Sequence, residues 1–336
     1  MNKTFLSLVI ISIITINFSF AFQTSKAKRF AKTITEKELS EHLYTYASDE
    51  FEGRDTGAPG QKKAVEYIRN YYKSIGIEPG DLEGDYFQEM TLTMRGRRGQ
   101  KPKTVETENV IAIIKGSEKP DEYVIITAHL DHVGITDGEI YNGADDDGSG
   151  TVALLEIAEA FKKAADKGKG PKRSVVFLHV TGEEKGLLGS AYYTDNPVYP
   201  LANTVVNLNV DMIGRIGSEK EGNDNYVYLI GSDKLSQELH DVSEEVNKRY
   251  TNLELDYTYN DENDPNRFYY RSDHYNFAKN DIPVIFYFNG THKDYHKHTD
   301  TPDKIEYELL AKRSRLIFLT TWELANREAR IKPNKS

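Results

Sequence analysis

The alternation of apolar and polar positions divides the chain into three stretches. The first is a mainly apolar run from Phe5 to Ile16 behind a single Lys3, followed by Ser19-Phe20-Ala21 with small residues three and one positions before a cleavage point. It reads as an export signal cleaved near Ala21, being short for a hydrocarbon span, which takes about 20 residues. The second stretch predicts helices over Thr33–Ser48 and Gln61–Ser74, separated by Phe51-Glu-Gly-Arg-Asp-Thr-Gly-Ala-Pro-Gly60, a segment dense in turn residues. Gly80–Glu108 is polar and irregular, with strand-like pieces.

From Asn109 the pattern becomes apolar strands alternating with helices. Strands are expected at Asn109–Ile114, Tyr123–Ala128, Ser174–Val180, Thr204–Asp211, Tyr226–Ile230 and Val284–Phe288. Helices are expected at Thr151–Ala165, Gly186–Asp195, Lys234–Tyr250 and Glu306–Asn326. Such alternation implies an α/β fold: a largely parallel sheet covered by helices on both faces. With no internal repeat or linker after residue 30, residues 22–336 are expected to form one domain behind a signal at 1–21.

Composition narrows the chemistry. The chain has 336 residues and a net charge of −10, which disfavours a polyanionic partner, because nucleic acid is bound by clustered Lys and Arg. It has no cysteine, so a transition metal would have to be held by His, Asp and Glu.

In an open parallel sheet, ligands bind outside the carboxyl ends of the strands. Three of those ends run into His129-Leu130-Asp131, Thr181-Gly182-Glu183-Glu184 and Asp211. Between the first two lies Asn142-Gly-Ala-Asp145-Asp146-Asp147-Gly-Ser-Gly150, and the last strand leads to Tyr295-His296-Lys297-His298-Thr299-Asp300. Each element alone has a plain explanation: a hydrogen-bonded histidine, an acidic helix cap, solvated charge. Together they place metal-type side chains at successive strand ends, and a set of imidazoles and carboxylates without sulfur suits zinc. Two His and three carboxylates suffice for two ions if one carboxylate bridges, and the resulting charge favours deprotonated water. Glu183, beside a ligand, is then the natural general base.

These motifs, together with Asn209-Val-Asp-Met-Ile-Gly-Arg, Arg271-Ser-Asp-His and Asp294-Tyr-His-Lys-His-Thr-Asp-Thr-Pro-Asp-Lys-Ile, resemble the co-catalytic zinc aminopeptidases of metallopeptidase family twenty-eight over roughly residues 45 to 325. The resemblance implies a zinc-dependent exopeptidase fold of the phosphorylase/hydrolase-like type and two Zn2+ per chain. His129 and Asp211 would hold one ion, Glu184 and His296 the other, and Asp146 would bridge. Asp146 is chosen over its neighbours, and His296 over His298, by alignment with the family motifs. A cis peptide between Asp146 and Asp147 is also implied.

In the same resemblance Asp131 orients the His129 ring through its other nitrogen, Tyr295 stabilises the oxyanion and Arg271 contacts substrate. His132, His274 and His292 read as packing and hydrogen-bonding residues. The segment Leu253–Phe268 is expected to form an acidic rim able to attract a substrate's free amine. The activity implied is removal of N-terminal residues from peptides by an exported, monomeric enzyme, periplasmic or extracellular, without stable membrane insertion. A carboxypeptidase would need a basic pocket for the terminal carboxylate, and a glutaminyl cyclase uses a single zinc.

Overall fold

The computed structural model describes residues 26–80, 84–94 and 101–334, and the expected signal segment lies outside them. Eleven strands are described: β1 (Glu78–Pro79), β2 (Phe87–Met94), β3 (Lys103–Ile114), β4 (Lys119–His129), β5 (Gly134–Thr136), β6 (Glu139–Tyr141), β7 (Arg173–Val180), β8 (Thr204–Val210), β9 (Tyr226–Ile230), β10 (Glu254–Asp256) and β11 (Val284–Phe288). All but the β5–β6 hairpin join one sheet in the order β1-β3-β7-β4-β8-β11-β9-β10, with β2 on β3. The central strands β7, β4, β8 and β11 run parallel, and antiparallel strands β3 and β9 flank them.

β7 and β8 are buried at every position because helices cover both faces, and polar members inside them are paired: His179 with the Tyr72 hydroxyl, Asn207 with Thr127 and Asn209 with Ser272. One face, with Val124, Ile126, Val175, Phe177 and Leu208, packs on α3 (Gly150–Ala165) and α7 (Tyr307–Asn326), where Phe161, Phe318 and Trp322 cluster. The alternate residues Ile125, Val176, Leu178 and Val180 face Tyr193 of α4 (Leu188–Asp195) and Phe277 of α6 (His274–Ala278). Burying each such side chain is worth about 1.5–3 kcal/mol.

Helix starts differ from the expected ones for capping reasons. α1 (Glu36–Tyr46) begins after Thr35, whose hydroxyl accepts from the Glu38 N–H and donates to the Glu38 carboxylate, a side-chain N-cap. α2 (Pro59–Ser74) starts at a proline, whose missing N–H costs nothing in the first turn. α5 (Gln237–Tyr250) starts where the Ser236 hydroxyl accepts from Leu239.

The larger departure is in Gly80–Glu108. β2 and β3 pair antiparallel over eight residues from Phe87↔Val110 to Met94↔Lys103, with β2 alternating buried and exposed side chains. Met90, Leu92, Met94 and Val105 close a small cluster of their own there. Among the described residues no helix is long and apolar enough to cross a membrane.

Candidate metal centre

Because β7, β4, β8 and β11 are neighbours running in one direction, the segments leaving their carboxyl ends lie side by side. His129 is the last residue of β4, opposite Val180 of β7. After β7 the chain doubles back through Gly182 in the left-handed conformation (φ 67°), which puts Glu183 and Glu184 into a single helical turn. Gly182 is suited to that turn because a Cβ in the left-handed region is disfavoured. Asp211 follows β8 directly, and His296 (φ 53°) lies in the loop after β11.

Three consecutive aspartates enter α3, and their hydrogen bonds separate them. Asp145 Oδ1 accepts from the Gly214 N–H at 2.7 Å, and its Oδ2 lies 3.1 Å from His292 Nε2. Asp147 accepts three backbone N–H groups: His129 at 3.0 Å, Gly150 at 3.0 Å and Met212 at 3.1 Å. Asp146 accepts no backbone N–H in the described network, and both its oxygens face histidines: Oδ1 stands 3.1 Å from His129 Nε2 and Oδ2 2.9 Å from His296 Nε2. The Asp146–Asp147 peptide is cis.

Two donor groups share that carboxylate. On one side, His129 Nε2 lies 3.6 Å from Asp211 Oδ1. On the other, Glu184 Oε1 lies 3.3 Å from His296 Nε2 and 2.9 Å from His132 Nδ1. Asp146 Oδ2, Glu184 Oε1 and both His132 nitrogens are buried without a hydrogen-bond partner. Buried polar atoms of native folds are nearly always paired, so converging orphans of this kind fit a cation. Nitrogen and oxygen donors alone are the chemistry that suits zinc. His298 is elsewhere, its ring edge-on to Tyr141 at 6.1 Å.

Asp131 meets the other nitrogen of the His129 ring through its backbone. His129 Nδ1 is 3.0 Å from the backbone carbonyl of Asp131 but 3.8 Å from its carboxylate. The carboxylate instead accepts from the Thr56 hydroxyl at 2.8 Å and the Glu183 N–H at 3.1 Å, tying the turn after β7 to β4. Asp211 is held through Oδ2, which accepts from Ser272 at 2.6 Å.

A second support had no assigned role in the sequence. Arg54 is fully buried, and its guanidinium donates to the carbonyls of Tyr46, Leu130, Asn142 and Gly143. It clamps the loop after β4 to the loop before α3. The dense turn Phe51–Gly57 was the available signal, but nothing in it distinguished a buried arginine from a solvated one. His292 hydrogen-bonds as expected, and His274 stacks on Phe286 at 4.8 Å.

The donor groups open into a small pocket lined by Glu183, Met212, Phe268, Arg271, Phe286, Phe288 and Tyr295. Burial pushes the Glu183 carboxyl well up from its usual range; His129 opposes that, and Glu184, Asp211 and Asp273 add to it. Burial pulls the His296 imidazole down, yet the adjacent Asp146 and Glu184 carboxylates prevail and raise it to about 10. Burial and the carboxylates of Asp146 and Glu184 raise the Tyr295 phenol. Arg271 is exposed, stacks over Phe268 at 4.8 Å and lies 3.5 Å from the Tyr295 hydroxyl. The 253–268 segment adds β10 to the sheet edge and brings Phe268 to the pocket, while Asp256 is paired with Lys220.

The profile of Peptidase family M28 matches residues 109–321. A probable glutamate carboxypeptidase of Arabidopsis thaliana, LAMP1, is 33% identical over 138 residues, 41% of this chain and 18% of its own length. The aminopeptidase NAALADL1 of Rattus norvegicus is 38% identical over 108 residues, 32% of this chain and 14% of its own. The chain thus spans less than a fifth of either relative's length. Among solved structures, an aminopeptidase from Aneurinibacillus sp. strain AM-1 superposes with a TM-score of 0.68 at 17% identity, covering 92% of this chain and 98% of that one. At that identity the likeness is one of fold.

Proposed function

Because the chain belongs to peptidase family M28, we propose that it is a zinc-dependent aminopeptidase with two ions, one held by His129, Asp146 and Asp211, the other by Asp146, Glu184 and His296. The observation that carries the reading is the placement of Asp146, one oxygen 3.1 Å from His129 Nε2 and the other 2.9 Å from His296 Nε2. When bound, such a pair of ions lowers the pKa of water and polarises the scissile carbonyl.

The chain's own residues supply the rest. Glu183, whose carboxyl is raised by burial, takes the proton of the attacking water and returns it to the leaving amine. The Tyr295 hydroxyl donates to the developing oxyanion. Glu183 and Asp211, both on the pocket wall, face the substrate's ammonium. The aromatic wall of Phe268, Phe286 and Phe288 takes the first side chain. The same reading makes residues 1–21 a cleaved export signal, residues 22–336 the catalytic domain and the mature enzyme a monomer of the periplasm or exterior.

A second reading, carboxypeptidase, is favoured by one observation: Arg271 on the pocket wall could bind a terminal carboxylate. Hydrolysis of aminoacyl-anilides against N-blocked peptides with free C-termini separates the two. The aminopeptidase cleaves only the former, and two zinc ions per chain by elemental analysis accompany full activity. Cleavage of the blocked peptides alone, abolished in Arg271→Ala, would replace this reading by the second.

A further inference from the structure

His132 is fully buried, three residues beyond His129 in the loop that leaves β4. Its Nδ1 lies 2.9 Å from Glu184 Oε1 and 3.8 Å from Asp146 Oδ2, and its ring meets that of His296 edge-on with centroids 5.8 Å apart. Despite the short approach to Glu184, neither ring nitrogen has a hydrogen-bond partner: the ring does not aim at the carboxylate oxygen. The ring nitrogens of His274 are buried without partners as well, so what distinguishes His132 is where its Nδ1 lies: beside two carboxylate oxygens, on Glu184 and Asp146, that themselves lack hydrogen-bond donors.

Donors that share one ion behave differently from donors and acceptors that bond each other. At zinc distances of about 2.0–2.1 Å, tetrahedral neighbours stand roughly 3.3 Å apart, each lone pair pointing at the ion. Four of the six separations among these donors, His132 Nδ1 to Glu184 Oε1 and Asp146 Oδ2 (2.9 and 3.8 Å) and His296 Nε2 to Asp146 Oδ2 and Glu184 Oε1 (2.9 and 3.3 Å), straddle that edge length. His132, Asp146 and Glu184 by themselves already form a group close enough to hold an ion. The loop before α3 leaves space for the ring: a Cβ on Gly143 would fall 2.5 Å from the His132 ring carbons.

We propose that His132 Nδ1 is a fourth protein ligand of the second zinc ion, so that the two ions of the centre are unequal. The inference rests on the two-ion reading above. The second ion, with His132, Asp146, Glu184 and His296, has the closed four-donor shell of a structural zinc. The first, with His129, Asp146 and Asp211, keeps the open position that a catalytic zinc needs. His129, Asp146 and Asp211 would thus leave a position for water or substrate on the first ion, whereas His132, Glu184 and His296 would fix Asp146 from the other side.

Two measurements test this on the full-length protein. Zinc titration of the metal-free protein against a competing chelator should show two sites in the wild type. In His132→Phe the second site should weaken about 10- to 100-fold or more while the first is kept. Cadmium-113 NMR of the unmutated protein with 15N-histidine needs no variant to fold: one bound cadmium should couple to a single imidazole Nε2, the other to two imidazoles, one of them through Nδ1. Coupling of each cadmium to a single imidazole, or unchanged second-site affinity in folded His132→Phe, overturns the assignment of His132. Uptake of fewer than two ions by the wild type instead overturns the two-ion reading beneath it.

Discussion

Replacing Arg54 by methionine, which keeps much of the buried volume, should destabilise the metal-free protein by about 4 kcal/mol. Arg54 gives hydrogen bonds to four carbonyls, but their losses are unequal. The Leu130 carbonyl also accepts from the Tyr46 hydroxyl at 2.9 Å, and that of Gly143 from the Gly148 N–H at 3.1 Å. Those two keep a partner. The carbonyls of Tyr46 and Asn142 have no other donor in the described network, and each orphan costs about 1–3 kcal/mol. At about 2–4 °C per kcal/mol for large domains, melting should fall by roughly 8–16 °C. The assay is thermal or urea unfolding after chelation, so that metal binding does not mask the change. Arg54→Lys should recover only part, because one ammonium cannot reach carbonyls on three segments at once. A methionine variant within about 1 kcal/mol of wild type would refute the clamp, given that most ordinary substitutions already cost that much.

Other expectations follow from the same geometry. Glu183→Gln should lower kcat/KM about 10²- to 10⁴-fold with zinc content unchanged, since the residue is offered as a proton carrier and not a ligand; lost zinc would contradict that role. His296→Ala should weaken zinc binding at one of the two sites in a chelator competition, and His298→Ala should weaken neither. His179, buried beneath the Tyr72 hydroxyl at 2.7 Å, is pulled by burial down to about 3 from the ordinary value near 6.5. Its neutral form is native at all pH values between these, whereas the unfolded chain takes up a proton. Stability is therefore full above about pH 6.5 and falls below it, by about 2 kcal/mol at pH 5. His179→Gln should flatten the urea midpoint against pH by about one proton; an unchanged slope would mean that His179 titrates normally.

How much of this the sequence discloses depends on how local the determining physics is. The buried parallel strands announce themselves, because strands covered on both faces are rich in β-branched and other apolar residues, even with His179 inside β7 and Asn207 and Asn209 inside β8. That is why His129, Glu183, Glu184 and Asp211 could be placed at strand ends without coordinates. The β2–β3 pair showed only as strand-like pieces because its alternation is carried by threonines and glutamates on one face, a pattern shared with polar loops. Roles among Asp145, Asp146 and Asp147 are invisible locally, since three identical side chains differ only in donors supplied from residues far along the chain, such as Gly214 and Met212. Arg54 and His132 were illegible for the same reason: their meaning lies in carbonyls and carboxylates that only the fold brings to them.

Those distant donors also separate the acids that build the cleft from the acids that work in it. Asp131, Asp145, Asp147 and Asp300 each accept at least one backbone N–H, and Asp273 accepts from the Ser190 hydroxyl. Asp211 is divided, one oxygen on Ser272 and the other toward His129. Asp146, Glu183 and Glu184 receive neither a backbone N–H nor a hydroxyl in the described network, although each lies in a site where bare charge costs several kcal/mol. A fold able to place three N–H groups on Asp147 could have supplied some to its neighbour. Leaving Asp146 and Glu184 undersupplied lowers the stability of the empty protein and raises its affinity for whatever cation fills the gap, because the free energy withheld from folding is returned on binding. The difference in unfolding free energy with and without zinc therefore measures that deficit, and restoring a donor near Asp146 should stabilise the empty chain while weakening its hold on metal.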